Sequence, residues 1–276
     1  MDFMANNSTT IQCLVTTFNL KKNEVLAMAL RMNVFCDTII RNQCGYNKIE
    51  KYEINGNNVL VIYSDDIGTS KNRNELLKLA TSEYVIFSDD DESFNTDVKN
   101  EIINEIISLK KPNSIAFNVC IQNKNRKIKD YRGKIKHCKM HHVTQSGVWR
   151  FVIKTDIARS IGFDEGLGPG TRMVCGEDSV FIRELLKKRQ SFICDANLGI
   201  VYQTESTWFD KIEKEDYLYN KGYVYGRIYG KFAFLAILRF LVKTKQMSFK
   251  NLKLCLNGAQ KSRTVRCRAS NQPKNF

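Results

Sequence analysis

Apolar residues in this chain fall into short continuous runs, and between the runs they recur at helical spacing. Ile11 to Thr17 (IQCLVTT) is a run of the kind a strand carries when both faces of its sheet are covered. Glu24 to Met32 follows with Leu26, Ala29 and Leu30 on one helical face. Thr38 to Ile40 and Val59 to Tyr63 read as further strands, and the polar helix SKNRNELLKLA leads into another, Tyr84 to Phe87. Asn95 and Thr96 stand as N-caps before an amphipathic helix, Val98 to Leu109, with apolar pairs Ile102/Ile103 and Ile106/Ile107, and Lys111 and Pro112 end it. SIAFNVCIQ and GVWRFVIK read as strands flanking a basic, polar loop or hairpin excursion over 123–145. A Gly-rich segment, GFDEGLGPGTRMVCGED, precedes the helix SVFIRELLKK and two short strands, Ser191 to Cys194 and Gly199 to Tyr202. Strands alternating with helices predict an α/β fold, a mostly parallel sheet flanked by helices over residues 1–205, with a helical, basic C-terminal extension over 206–276.

Composition narrows the class without changing that picture. A chain of 276 residues that is 43% apolar and 11% aromatic can bury a real core, and 15 Gly with only 3 Pro argues against a collagen-like or Pro-rich linker protein. The apolar run Phe232 to Leu238 is far shorter than the roughly 20 residues a membrane-spanning helix needs. The opening MDFMANNSTT has neither a basic n-region nor an apolar h-region, which predicts a cytoplasmic chain. None of the 9 cysteines forms a CxxC pair, so they read as reduced core thiols. The net charge of +14 is unevenly spread. Residues 231–276 hold 11 Lys and Arg and no acid, residues 108–150 hold 11 against Asp130 alone, and the remainder is mildly acidic. Two basic attachments on an acidic body suit an anionic partner, whether phospholipid, diphosphate or nucleic acid.

Four consecutive acids, Asp89, Asp90, Asp91 and Glu92, end the apolar strand YVIF. Ligands of open parallel sheets bind beyond the carboxyl ends of strands, and carboxylates two apart in extended chain, such as Asp89 and Asp91, project to one side. Such a pair can share Mn²⁺ or Mg²⁺ completed by substrate phosphates; the alternative is a solvated acidic turn. Glu177 and Asp178 open the helix SVFIRELLKK, as helix-capping acids or with one of them a general base. Arg73 at a polar helix start is either a solvated charge or a contact for a nucleotide. His137, Cys138, His141 and His142 have the residue types of a zinc site, but no second ligand pair stands at finger spacing and the lysines around them oppose a cation. The C-terminal KFAFLAILRFLVKTKQ either docks on the core or lies in a lipid interface.

In order along the chain, LVTTFN, GTSKNRNELLKLATSEYVIFSDDDE and GFDEGLGPGTRMVCGEDSVFIREL resemble the motifs of family-two glycosyltransferases of the Rossmann-like GT-A fold, the type that builds bacterial capsule, exopolysaccharide and other cell-surface glycans. The resemblance covers roughly residues 11–230. It implies that Thr16 and Thr17 line a nucleotide pocket, that Arg73 approaches the base or diphosphate and that Asp90 faces the ribose. Asp89 and Asp91 become the Asp-x-Asp carboxylates for Mn²⁺ or Mg²⁺, Asp178 the catalytic base and Glu177 its acceptor-binding neighbour. Asn42 stands where the family places an Asp toward the base, and Gln203 where many relatives place a His near the metal. The implied reaction is an inverting transfer from a nucleoside-diphosphate sugar, UDP-sugars favoured, to a glycan or lipid-linked acceptor. An anionic membrane surface would meet residues 231–276, the chain sitting at the inner face of the cell membrane, and no nucleic acid is expected. A nucleic-acid-binding protein, with steep salt dependence, and a non-catalytic sugar-nucleotide binder are the competing readings. A nucleotidyl transferase ranks lower, because TTFNLKKNE lacks a glycine for a phosphate loop.

Overall fold

The structure, a computed structural model, describes residues 9–122, 131–133, 135–143, 147–202 and 212–270, with side chains through 262 and without that of His141. Strand β1 (Ile11–Phe18) is followed by α1 (Lys22–Arg31), β2 (Thr38–Gln43), β3 (Lys48–Ile54), β4 (Asn57–Ser64), α2 (Thr69–Leu79) and β5 (Tyr84–Asp89). Next come β6 (Glu92–Phe94), α3 (Val98–Ser108), β7 (Ser114–Ile121), β8 (Lys136–His137), β9 (Phe151–Lys154), α4 (Thr155–Ile161), α5 (Glu177–Lys187) and β10 (Ser191–Val201). Helices α6 (Lys214–Tyr229), α7 (Ala233–Lys243) and α8 (Phe249–Ser270) close the chain.

Among the described residues, the ten strands share one sheet in the order β3-β4-β2-β1-β5-β9-β7-β10-β6, with β8 alongside β10. β4, β2, β1 and β5 run parallel, as do β7 and β10, while β9 is antiparallel to both β5 and β7. Period-two alternation splits β1 between two apolar layers. Ile11, Cys13 and Val15 pack under α1 and α3 with Val25, Met28, Ile102 and Ile106. Leu14 turns to the opposite layer with Leu76, Phe87, Phe181 and Leu185 from α2, β5 and α5.

Several elements differ from the sequence expectation. The buried face of α1 is Val25, Met28 and Ala29, whereas Leu30 is 61% exposed. α3 is preceded by Asp97 rather than capped by Asn95 or Thr96, and Ile107 faces solvent while Ile106 is fully buried. β3 is a strand the apolar pattern does not announce. It is an edge strand carrying Lys and Glu, joined to β4 by an Asn55-Gly56 turn with both φ positive. β10 is one strand, not two, with register shifts around Asn197. The basic stretch 108–150 is not all surface, since Arg150 is buried and donates to the Phe117 carbonyl at 2.7 Å. The expected boundary at 205/206 and Gln203 lie outside the described residues.

α6, α7 and α8 form a small bundle around Leu218, Ala233, Ile237, Leu241, Cys255 and Ala259. α6 and α8 cross at backbone distance: a Cβ on Gly222 would stand 1.9 Å from the Cys255 carbonyl oxygen, and one on Gly258 2.1 Å from that of Tyr219. Alanine ordinarily favours a helix over glycine by about 1 kcal/mol. Here the overlap reverses the sign, so Gly222→Ala should lower stability by about 1–3 kcal/mol in thermal melts, and a raised melting temperature would refute the close crossing.

Candidate active site

The order of the parallel strands reverses at β1, with β2 and β4 on one side and β5 on the other, and a crevice opens beyond the carboxyl ends of β1 and β5. The register pairs Thr16 with Asp89 at those strand ends. Thr17 Oγ1 donates to Asp90 Oδ2 at 2.6 Å, and the longer Thr16 Oγ1 to Asp89 Oδ1 contact is 3.4 Å. Arg31, from the last turn of α1, donates to the Asp90 carbonyl oxygen. The acidic run divides here. Asp89, Asp90 and Asp91 remain at the rim, while Glu92 turns inward on β6, is 3% exposed and accepts from Ser88 Oγ at 2.5 Å. Burial and the negative neighbours Asp89 and Asp90 push the Asp91 carboxyl up to about 7.

Arg73, on α2, is the centre of the site rather than a solvated charge. It is 2% exposed, and its Nη1 meets Asp178 Oδ1 at 2.7 Å while Nη2 meets Asp89 Oδ1 at 2.8 Å. Glu177 lies 4.0 Å from Nη1, and the Phe163 ring sits 5.3 Å from the guanidinium carbon. One guanidinium thus spans the Asp-x-Asp segment and the start of α5, bringing the two acidic motifs to one cleft. α5 begins at Gly176, in left-handed conformation with φ 102°, and a Cβ there would stand 2.3 Å from Val224 of α6. Asp178 does not cap the helix. Its other oxygen accepts from the Val148 backbone N–H at 3.2 Å, and burial raises its carboxyl above the usual range against the pull of Arg73. Among the described residues, Glu177 Oε2 is buried without a hydrogen-bond partner, and burial, with Asp178 beside it, pushes this carboxyl up to about 7.

The remaining site candidate points elsewhere. Asn42 is fully buried and clasps the turn after β1, its Oδ1 accepting from the Leu20 N–H at 3.2 Å and its Nδ2 donating to the Leu20 carbonyl at 2.7 Å. Sequence reasoning passed over residues that hold the cleft together. Asn74 brackets Phe163 by a 3.0 Å and a 2.7 Å bond, and Ser70 Oγ donates to the Leu167 carbonyl at 2.7 Å, so α2 is stapled to the Gly-rich segment. Arg41 reaches Asp66 at 2.7 Å and Ser64 at 2.8 Å. A pocket beside the cleft is lined by Phe18, Gln43, Ile67, Thr69, Pro169 and Gly170. Away from it, His137 stacks on Phe192, Cys138 is buried and His142 Nδ1 accepts from the Lys139 N–H.

The donor chemistry fits a divalent ion. Asp89 and Asp91 offer hard oxygens, and Asp91 makes no salt bridge among the described residues. Among the described residues no three His, Cys, Asp or Glu side chains converge as a ligand set, so such an ion would need oxygens from its substrate.

A mixed sheet with a parallel half, helices on both faces and acidic residues at its switch point matches the GT-A fold. The family described as Glycosyl transferase family 2 matches residues 46–189, over half the chain, and the chain belongs to it. Among solved structures, that of S. aureus TarS 1-349 in complex with UDP-GlcNAc superposes with a TM-score of 0.64 at 14% identity, over 91% of this chain and 79% of that one. The UDP complex of TarS 1-349 gives 0.60 at 15% identity over 87% and 73%, and the longer S. aureus TarS 0.60 at 15% over 88% and 45%. At these identities the likeness is one of fold. No curated protein matches the chain.

The Glu177 carboxyl generates a pH-dependent stability. Its folded value lies above its unfolded one, so it costs the fold nothing while protonated and more as pH climbs from about 4.5 toward 7. Glu177→Gln should therefore melt higher than the parent chain at pH 8, with the gap closing toward pH about 4.5. A gap independent of pH would contradict the burial of this carboxylate.

Proposed function

We propose that this transferase moves a sugar from a nucleoside-diphosphate sugar, UDP-sugars favoured, to a hydroxyl of a glycan or lipid-linked acceptor in cell-surface glycan synthesis, with inversion at the anomeric carbon. The observation that carries it is the buried guanidinium of Arg73 joining Asp89 to Asp178, which sets a prospective base beside the Asp-x-Asp carboxylates. The complexes of TarS with UDP-GlcNAc and UDP support the class of donor. A cytoplasmic location at the inner face of the cell membrane belongs to the same proposal.

In this reading the Asp178 carboxylate takes the proton of the acceptor hydroxyl as it attacks, and its raised affinity for protons strengthens it as a base. Arg73 and the Val148 N–H hold that carboxylate in one orientation, so little reorganisation precedes the transfer. Glu177 meets the acceptor. Thr16, Thr17 and Asp90 line the nucleotide side, the last facing the ribose, and the pocket walled by Phe18 and Ile67 suits the flat face of a base. Asp89 and Asp91 would hold Mn²⁺ or Mg²⁺, whose chemistry is to offset the charge on the departing nucleoside diphosphate. Asn42, engaged with Leu20, acts on the base only by shaping the turn after β1.

Calorimetry with UDP and Mn²⁺ should show binding that Asp91→Ala loses. Asp178→Asn should keep nucleotide binding while transfer falls by at least about 10²-fold. Nucleotide binding without turnover of any UDP-sugar in the parent chain would favour the non-catalytic alternative, and a product of retained anomeric configuration would overturn the single displacement.

A further inference from the structure

The solvent side of α7 is apolar where a surface helix is ordinarily polar. Ala233, Ile237 and Leu241 point into the bundle with α6 and α8. At about 100° per residue, Phe234, Leu238 and Val242 form the next stripe round the helix, with Leu235 just past it. Phe234 is 45% exposed, and Leu235 and Val242 are each 63% exposed. Beyond this strip the helix turns basic, with Arg239 and Lys243 exposed, and Lys231 and Lys245 stand exposed beyond its two ends. Arg239, Lys243 and Lys245 make no salt bridge among the described residues. Phe249, opening α8, is 84% exposed.

We infer that α7 is a docking surface for an anionic phospholipid bilayer, the helix lying in the plane of the interface with the Phe234, Leu235 and Val242 stripe among the acyl chains. Charge selects this occupant. Residues 231–276 contain 11 Lys and Arg and no acid, so a second copy related by a two-fold axis would set like charges against one another. A nucleic acid would leave the apolar stripe without a role. Lipid with acidic head groups satisfies both halves of the surface. Insertion stops at the interface, because an 11-residue helix spans about 16 Å against a hydrocarbon core of about 30 Å. Among the described residues, no helix is long and apolar enough to cross a membrane. The inference deepens the membrane-face location of the proposed function, and nucleotide binding is the control that separates its failure from failure of the sugar-transfer reading.

The test is sedimentation of the full chain with phosphatidylcholine vesicles, with and without about one third phosphatidylglycerol. The anionic vesicles should bind at least about tenfold more tightly, and the advantage should shrink in high salt. Leu235→Ser with Val242→Ser should weaken binding to the anionic vesicles about tenfold. Arg239→Glu with Lys243→Glu should erase the preference for them. All four positions face solvent, so melting temperature and UDP binding should stay at parent values and separate a lost surface from a lost fold. Equal binding to both vesicle types, variants indistinguishable from the parent, or a dimer that the serine pair dissociates without altering vesicle binding would each overturn the inference.

Discussion

The site depends on one buried cation. Arg73 is enclosed by Asp89, Asp178 and Glu177, with Phe163 over its face. Removing a guanidinium from water costs several kcal/mol, and only close, well-aligned carboxylates repay it. Two contacts below 3 Å supply that, and among the described residues Nε is left without a hydrogen-bond partner. The ion pairs are therefore poor evidence of stability and good evidence of specification. They fix how far α5 stands from β5, and so the width of the cleft.

That distance is reinforced from behind by the helical unit. Asn220 of α6 exchanges contacts with Cys175, accepting from its thiol at 2.9 Å and donating to its carbonyl at 3.1 Å. Arg227 meets Asp164 at 2.9 Å. Val224 fills the space that the missing side chain of Gly176 leaves, so α6 can press against the start of α5. The bundle is thus part of the wall that presents Asp178, and a surface on α7 is mechanically continuous with the site through α6.

Much of this was legible in the chain because it is written in local patterns. The runs of β1 and β5, the position of the acids at a strand end and the order of the three motifs led to the parallel half of the sheet and to five charged residues that the fold gathers at one cleft, Arg73, Asp89, Asp91, Glu177 and Asp178. What escaped reading depends on contacts distant in sequence. β3 alternates Lys and Glu at a sheet edge, so only its Asn55-Gly56 turn signalled it. β6 is three residues long and exists because β10 returns beside it. Arg73 was picked out as a nucleotide contact, but its carboxylate partners were not legible, because they lie 16 and 105 residues away. Asn74, Arg41 and Arg31 likewise carry no local mark of what they bind.

The balance of charge in the cleft gives the arrangement its direction. Of the five carboxylates in the cleft, Asp89, Glu177 and Asp178 face Arg73, while Asp90 and Asp91 feel the more remote Arg31. Burial is the first cause that raises the proton affinity of Asp90, Asp91, Glu177 and Asp178, and negative neighbours add to it in each case. A group that must either keep a proton or bear an unbalanced charge destabilises the empty fold. Any ligand that brings positive charge or hydrogen-bond donors to the rim relieves that cost and stabilises the chain by the same free energy. On the proposed reading the strain lies where chemistry needs it: Asp91 gains from a cation, and Asp178 gains from the proton it removes.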